Sequence, residues 1–342
     1  MSNNFISVDP SLEDYWRGII LFGLNVASYK FALASALLEL QPQAGQLVTL
    51  DDLAAVYVKH IADHLKKSDK QGTSKSSKFL DACRQFNANK ITHDALLDTT
   101  VRYGFVNVID AFHVIGGQET PKRFFMDERN ARKGILVTDE FSELLHQEQS
   151  LNLPHEVESR WQLVERSWEL GVSKSLLSIE YDHESEFLFS LSKSQQRKPV
   201  TGSREALNGY QKGQCFYCYS DIKIDQKGPL FPDVDHFFPH TLKSRGFSSI
   251  VDGVWNLVLS CRGCNGAKEK GAKIPCIDLL ERLHTRNEFL IDSNHPLKQT
   301  LIQQTGNNLT KRKLFLNSFF NDSKKTGLPE WESPEARGIP KF

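Results

Sequence analysis

The part of the sequence that decides the fold consists of 215-CFYC-218, 233-DVDHFFPH-240 and 255-WNLVLSCRGCNGAK-268. Two Cys-x-x-Cys pairs enclose an Asp-His sequence, and an asparagine directly follows the second pair. Thiolates suit zinc, whereas carboxylate and amide oxygens suit harder cations. The combination therefore predicts two different metal sites within one short segment.

The two cysteine pairs, Cys215 with Cys218 and Cys261 with Cys264, have the spacing of zinc ligands. Four such thiolates can close a tetrahedral shell around zinc. The 42 residues between the pairs exceed the spacing of a short zinc finger, so they must form a substructure of their own. A redox-active pair and two disulfides are the alternatives. Two pairs in one segment, with no secretory signal, favour structural zinc.

The residues between the cysteine pairs predict a β-hairpin. One strand contains Val234 and stops before Pro239, and a second short strand covers residues 257–259. A turn and a helix are expected over residues 261–270. The predicted unit is thus a hairpin followed by a helix, with zinc at its base.

The polar residues of this unit predict its chemistry. Asp235 and Asn265, facing each other across the unit, could hold a hard divalent cation through oxygen ligands. A neutral His236 beside them could take a proton from water.

This segment resembles the HNH endonuclease family, specifically its variant with four zinc-binding cysteines. The matching residues are Asp235-His236 with Pro239, Asn256 within WNLVL, and Asn265 within the Cys-x-x-Cys-Asn-x-x-Lys sequence. The match covers about a sixth of the chain, but several spaced elements agree at once.

The resemblance implies a role for each matching residue. His236 would be the general base and Asp235 a metal ligand. Asn256 would shape the loop and orient the base, and Asn265 would bind the catalytic metal, expected to be Mg²⁺ or a similar ion. Asparagine at the last position makes this an HNN form of the motif. The zinc, enclosed by Cys215 and its three partners, would be structural.

Two neighbouring basic residues allow more than one interpretation. His240 is either a second phosphate-contacting group or a loop histidine, and the loop interpretation is slightly favoured. Lys268 faces either solvent or a phosphate.

The composition is that of an ordinary globular protein, with 39% hydrophobic and 25% charged residues. Cys83 and Cys276 lie outside the paired motifs, which fits a reducing cytosol. The sequence contains no apolar run of about 18 residues, so no transmembrane span is predicted. The N-terminus lacks the positive charge of a signal peptide. A cytoplasmic protein without a membrane partner is therefore expected.

Charge is distributed unevenly along a chain that is neutral as a whole, with 42 basic and 42 acidic residues. Residues 193–273 contain 13 Lys and Arg against 7 Asp and Glu. Excess positive charge lies where a phosphate backbone would have to bind, and DNA is the expected partner; the alternative is an ordinary solvated charged face.

Helical periodicity dominates the N-terminal half. Ser11 and Thr49 are predicted N-caps of two helices. Trp161 and Trp168 recur at helical spacing after Pro154, which predicts core positions and not a base-stacking platform.

Three regions are predicted. Residues 1–195 form a mainly helical domain for recognition or partner docking. Residues 196–275 form the HNH nuclease module, and residues 276–342 add C-terminal helices and a tail packed on it. The fold class is α+β, with a ββα-metal module.

The predicted function is a metal-dependent endonuclease that hydrolyses phosphodiester bonds in DNA. By analogy of architecture, its biology would be bacterial phage defence or mobile elements. One module would cut one strand, so a double-strand break would need a homodimer or two nicks. The alternatives are a non-catalytic, zinc-stabilised nucleic-acid-binding module and a nuclease that acts on RNA.

Overall fold

The computed structural model divides the chain into two compact units. One contains residues 8–171, and the other contains residues 172–342 together with residues 1–7. The structure describes residues 5–6, 10–23, 26–74, 76–169, 179–191, 197–225, 227–247, 249–266, 268–293, 296–332, 334–340 and 342.

The unit of residues 8–171 is mainly helical. Its helices are α1 (Leu12–Phe22), α2 (Tyr29–Leu40), α3 (Leu50–Lys67), α4 (Lys78–Asn87), α5 (His93–Tyr103), α6 (Val108–Ala111), α7 (Arg129–Arg132), α8 (Asp139–His146) and α9 (Leu153–Glu169). Its strands are β1 (Leu47–Thr49), β2 (Val114–Ile115), β3 (Gln118–Glu119), β4 (Phe125–Glu128) and β5 (Gly134–Val137). They form one sheet of order β1-β5-β4 and a β2-β3 hairpin.

Side-chain caps fix where the first helices begin. The Ser11 hydroxyl accepts a hydrogen bond from the Asp14 N–H, and the Asp14 carboxylate accepts one from the Ser11 N–H, completing a capping box. Thr49 caps α3 in the same way by accepting from the Asp52 N–H at 3.1 Å. Both predicted N-caps are confirmed.

Helix α9 supplies the centre of this unit's core. Trp161 and Trp168 are buried, as predicted from their spacing. The His64 ring lies parallel to the Trp161 ring at a centroid distance of 3.5 Å. Arg17 and Glu156 make a buried bidentate ion pair at 2.9 and 3.0 Å, so neither charge is left unpaired.

The unit that contains residues 172–342 begins with a three-stranded antiparallel sheet, β6 (Ile179–Asp182), β7 (Phe187–Leu191) and β8 (Arg197–Gly202). Its other strands are β9 (Asp233–His236), β10 (Leu257–Ser260), β11 (Ile274–Pro275) and β12 (Glu330–Trp331). The helices are α10 (Ser203–Asn208), α11 (Arg262–Asn265), α12 (Ile277–Asp292), α13 (Pro296–Thr305) and α14 (Leu309–Lys324).

The division between the units differs from the predicted boundary. The position between residues 195 and 196 lies outside the described residues, but it falls between β7 and β8, which pair with each other. Residues 179–191 therefore belong to the unit that carries the Cys-x-x-Cys pairs. Residues 276–342 belong to the same unit.

The predicted β-hairpin between the cysteine pairs is present. Strands β9 and β10 pair antiparallel, with His236 opposite Leu257 and Asp235 opposite Val258. The helix that follows is shorter than predicted, because α11 covers only Arg262–Asn265 and residues 268–272 form turns. These turns bring Lys270 into the interior, where a helix reaching residue 270 was expected.

Both units combine helices with small sheets, which confirms the α+β class. Throughout the described ranges, no helix has the length and apolar character needed to cross a membrane.

A comparison of two fragments tests the division. Residues 172–342 should unfold cooperatively, whereas residues 196–342 should be less stable by several kcal/mol. The shorter fragment removes the partner of β8 and the buried Leu188 and Tyr181 side chains, each worth about 1.5–3 kcal/mol. Thermal unfolding followed by circular dichroism measures the difference. Equal stability would instead support the boundary between residues 195 and 196.

Candidate functional site

Four cysteine sulfurs meet at the base of the β9–β10 hairpin. The Sγ atoms of Cys215, Cys218, Cys261 and Cys264 all lie within 4.8 Å of one another. Backbone bonds form both turns, from the Tyr219 N–H to the Cys215 carbonyl and from the Cys264 N–H to the Cys261 carbonyl, each 3.0 Å. Two distant parts of the sequence thus contribute one pair each to a single cluster.

The cluster fits a tetrahedral metal ion. The Cys218 and Cys261 sulfurs are 3.8 Å apart, which is about the edge of a tetrahedron with zinc–sulfur bonds of ~2.3 Å. The same separation is far above a disulfide bond of ~2.05 Å. Hydrogen bonding among the four thiols lowers the pKa of Cys218 and Cys261 and raises that of Cys215 and Cys264, as expected when sulfurs crowd together. The four cysteines can therefore hold a metal ion, and their geometry is compatible with structural zinc.

Asp235 points to one side of β9 and makes two close contacts. Its Oδ2 accepts a hydrogen bond from the Tyr217 hydroxyl at 2.6 Å, and its Oδ1 lies 2.9 Å from the Lys270 ammonium. Lys270 also donates to the His236 carbonyl oxygen. Asp235 is 8% exposed and Lys270 is fully buried. The result is a buried ion pair within the hairpin.

Burial opposes charge on both partners of this pair. It raises the pKa of Asp235, while the Lys270 ammonium and the Tyr217 hydroxyl act in the opposite direction. It lowers the pKa of Lys270, against the pull of the Asp235 carboxylate. Each charge is stabilised mainly by the other, so removing either one leaves an uncompensated buried charge.

The expected Mg²⁺ ligands do not fit a cation site as they are placed. Both oxygens of Asp235 are engaged by Tyr217 and Lys270. The Asn265 side-chain amide donates to the Asp233 carboxylate at 3.2 Å, and not to Asp235. A hard cation needs several free oxygens converging on it, and this pair does not provide them.

His236 points to the other side of β9, toward a separate group of polar residues. Its Nε2 lies 3.4 Å from Oδ1 of Asp252. Its ring is nearly parallel to that of His183, at 5.7 Å and 14°, and the rings of Tyr181 and His240 lie 5.9 and 5.5 Å away. The His236 ring therefore lies between two other histidines, and its Nε2 faces one carboxylate.

This environment keeps the His236 imidazole neutral. Burial lowers its pKa to about 4, and His240, His183 and Lys270 act in the same direction, while Asp252 opposes them. A neutral imidazole has the lone pair that a general base requires.

Asn256 fixes the loop that follows His236. Its Oδ1 accepts from the Phe238 N–H at 2.8 Å, and its Nδ2 donates to the carbonyls of Phe238 and Val251 at 2.9 and 2.8 Å. The Asn256 carbonyl also accepts from the Phe237 N–H at 2.7 Å. These contacts occur where the resemblance expects a loop-shaping asparagine.

The two other basic residues singled out in the sequence, His240 and Lys268, lie at the surface. His240 begins a 3-10 stretch, His240–Arg245, and is exposed beside His236 and Asp252. Lys268 is also exposed. Both positions are open to solvent and to a phosphate.

Sequence reasoning missed several residues that contact the predicted ones, among them Tyr217, Lys270, His183 and Asp252. Tyr217 lies inside the first Cys-x-x-Cys pair, so its position could have been noticed. His183 lies on the β6–β7 turn in a stretch without a motif, and nothing in the sequence links it to His236.

Comparisons with protein-family models, with curated proteins and with solved structures found no match to this chain.

The cysteine cluster predicts zinc binding. Cys264→Ser should abolish zinc binding and unfold the hairpin, because structural zinc contributes about 10–16 kcal/mol to small domains that depend on it. Elemental analysis and thermal unfolding measure both effects. Cys83→Ser and Cys276→Ser should keep the metal, since neither residue belongs to the cluster. A folded wild-type protein free of zinc would contradict the assignment.

The ion pair predicts competition between Lys270 and a divalent cation. Lys270→Met should bind Mn²⁺ more tightly than wild type, because it frees Asp235, and should lose about 3–5 kcal/mol of stability without the ion. Paramagnetic resonance titration with Mn²⁺ and thermal unfolding measure these effects. Lys268→Met is the exposed control. Wild-type Mn²⁺ binding that requires Asp235 but is insensitive to Lys270→Met would refute the competition.

Proposed function

We propose that this protein is an endonuclease of the HNH type that hydrolyses phosphodiester bonds in DNA, with His236 as the general base. The observation that carries the proposal is the placement of His236. It is a neutral, largely buried imidazole at the end of β9, in a hairpin joined at its base by four cysteines. The cysteines hold a structural zinc ion in this proposal.

The chemistry assigned to the chain's own residues is a proton transfer. His236 takes a proton from water, the water oxygen attacks phosphorus, and the bond from phosphorus to the 3′ oxygen breaks. The departing 3′ oxygen takes a proton from solvent water, and His236 then returns its proton to solvent. His183 and His240 lie beside His236, and Lys243 contacts Asp252; all three carry nitrogen atoms suited to phosphate oxygens. No step is assigned to a cation on Asp235 and Asn265, because these residues do not present a cation site.

Local charge supports a nucleic-acid substrate. The positive excess of residues 193–273 includes Arg245, Arg262 and Lys268, which are exposed. Exposed cations of this segment would contact phosphates irrespective of sequence. We keep two further predictions: the N-terminal unit docks a partner protein, and the chain forms a homodimer.

One observation favours a different function. The Lys270 ammonium forms an ion pair with Asp235, the carboxylate that the HNH resemblance assigns to the catalytic metal. A zinc-stabilised module that binds nucleic acid without cutting it would tolerate this ion pair. The two functions differ in a single measurement, which is cleavage.

The test is cleavage of plasmid DNA and of single-stranded RNA, with Mg²⁺ or Mn²⁺ and with EDTA. Wild type should nick DNA. His236→Ala should lose about 10²–10⁴-fold in rate, the usual cost of removing a general base. His240→Ala should lose much less, and the exposed His155→Ala should match wild type.

Binding without cleavage under every condition would favour the non-catalytic module. Cleavage confined to RNA would replace the DNA assignment. If His240→Ala is more damaged than His236→Ala, the base has been assigned to the wrong histidine.

A further inference from the structure

Two complementary atoms face each other in the interior beside β9. His236 Nε2 and Asp252 Oδ1 are both buried, and in the part of the chain that the structure describes neither makes a hydrogen bond. They are 3.4 Å apart. A buried donor or acceptor without a hydrogen bond costs free energy of folding. Hydrogen bonds of catalytic groups often shorten when substrate binds. A hydrogen bond between His236 Nε2 and Asp252 Oδ1 would therefore satisfy both atoms at once.

The backbone around this pair is fixed by a single side chain. Asn256 bonds the N–H and the carbonyl of Phe238, two residues after His236, and the carbonyl of Val251, one residue before Asp252. Its amide is fully buried. One asparagine thus ties together the two loops that carry the histidine and the carboxylate, as a preorganised site requires.

The second oxygen of Asp252 has a different partner. The Lys243 ammonium contacts Oδ2, which leaves Oδ1 for His236. The exposed His240 lies farther from Oδ1, with its Nε2 at 3.8 Å. The carboxylate is therefore oriented from one side by a lysine and directed on the other toward the buried imidazole.

From this geometry we infer that Asp252 is a positioning residue that holds His236 in the tautomer protonated at Nε2. Nδ1 then carries the lone pair that accepts the proton from water. This role rests on the proposed function of His236 as a base. Asp252 touches no reacting atom and acts only through His236, by fixing its ring and by stabilising the imidazolium once the proton has moved.

The groups packed around His236 show which of its neighbours can accept a hydrogen bond from its ring. Tyr181 and His183 approach from β6 and the turn after it, and His240 from the 3-10 stretch, while Lys270 contacts the His236 backbone carbonyl from the other side of β9. Against these groups, Asp252 places a carboxylate oxygen 3.4 Å from the His236 Nε2.

The experiment combines nitrogen NMR with kinetics on the full chain. Long-range ¹H–¹⁵N spectra identify His236 by the signals lost in His236→Ala. Wild type should show the Nε2–H tautomer, and Asp252→Asn and Asp252→Ala should show a mixture. The spectrum requires no cleavage activity, so it decides the positioning role even if the proposed function fails.

Kinetics then measure the consequence. Both variants should lose roughly 10–100-fold in kcat with little change in KM, a typical cost of removing an orienting partner. Asp252→Glu should restore part of kcat, and the exposed Glu332→Gln should match wild type. Zinc content and melting temperature verify that each variant is folded. If Asp252→Ala unfolds, Asp252→Asn, whose side chain has nearly the same shape as aspartate, is the variant that tests the inference. An unchanged His236 tautomer in folded Asp252→Asn, or a loss confined to KM, would overturn the inference.

Discussion

The convergence of four cysteine sulfurs is the constraint on which the hairpin and its polar residues depend. Strands β9 and β10 have only four residues each, and an isolated hairpin of that size is marginal in water. The cluster joins the segment before the hairpin to the segment after it. The Phe216 N–H also bonds the Leu259 carbonyl at 2.9 Å, so the first cysteine turn is attached directly to β10.

The cysteine turns also set what Asp235 contacts. Tyr217 lies between Cys215 and Cys218, and its hydroxyl reaches Asp235 because that turn is held against the hairpin. The alternation of side chains along a strand then separates neighbours. Asp235 contacts Tyr217 and Lys270 in a buried ion pair, whereas His236 lies beside Asp252 and two histidines. Adjacent residues of one motif therefore occupy different chemical environments.

Local signals in the sequence were sufficient for much of the fold. The N-caps Ser11 and Thr49, the buried Trp161 and the β9–β10 hairpin all follow from nearby residues. The sheet of β6, β7 and β8 was missed because the alternation of β6 covers only four residues and β8 has a basic, polar sequence. Its pairing depends on packing within the whole unit, which a local pattern does not record.

The site was only partly predictable for a related reason. The cysteine cluster follows from spacing, but Asp252 and His183 approach His236 through loops whose paths depend on tertiary contacts. Lys270 reaches Asp235 only because α11 ends at Asn265 and Gly266 caps it. A helix four residues longer would have directed this lysine elsewhere, so the ion pair depends on where one short helix stops.

The low basicity of His236 sets a condition on any substrate. With a pKa of about 4, the imidazole is neutral near pH 7 but a weak proton acceptor. An anion beside it stabilises the protonated form and raises its pKa. A phosphodiester bound among His236, His183 and His240 would bring one negative charge to this position. In the proposed reaction, the phosphodiester would then increase the basicity of the imidazole that takes the proton, which is why this site suits an anionic phosphate better than a neutral substrate.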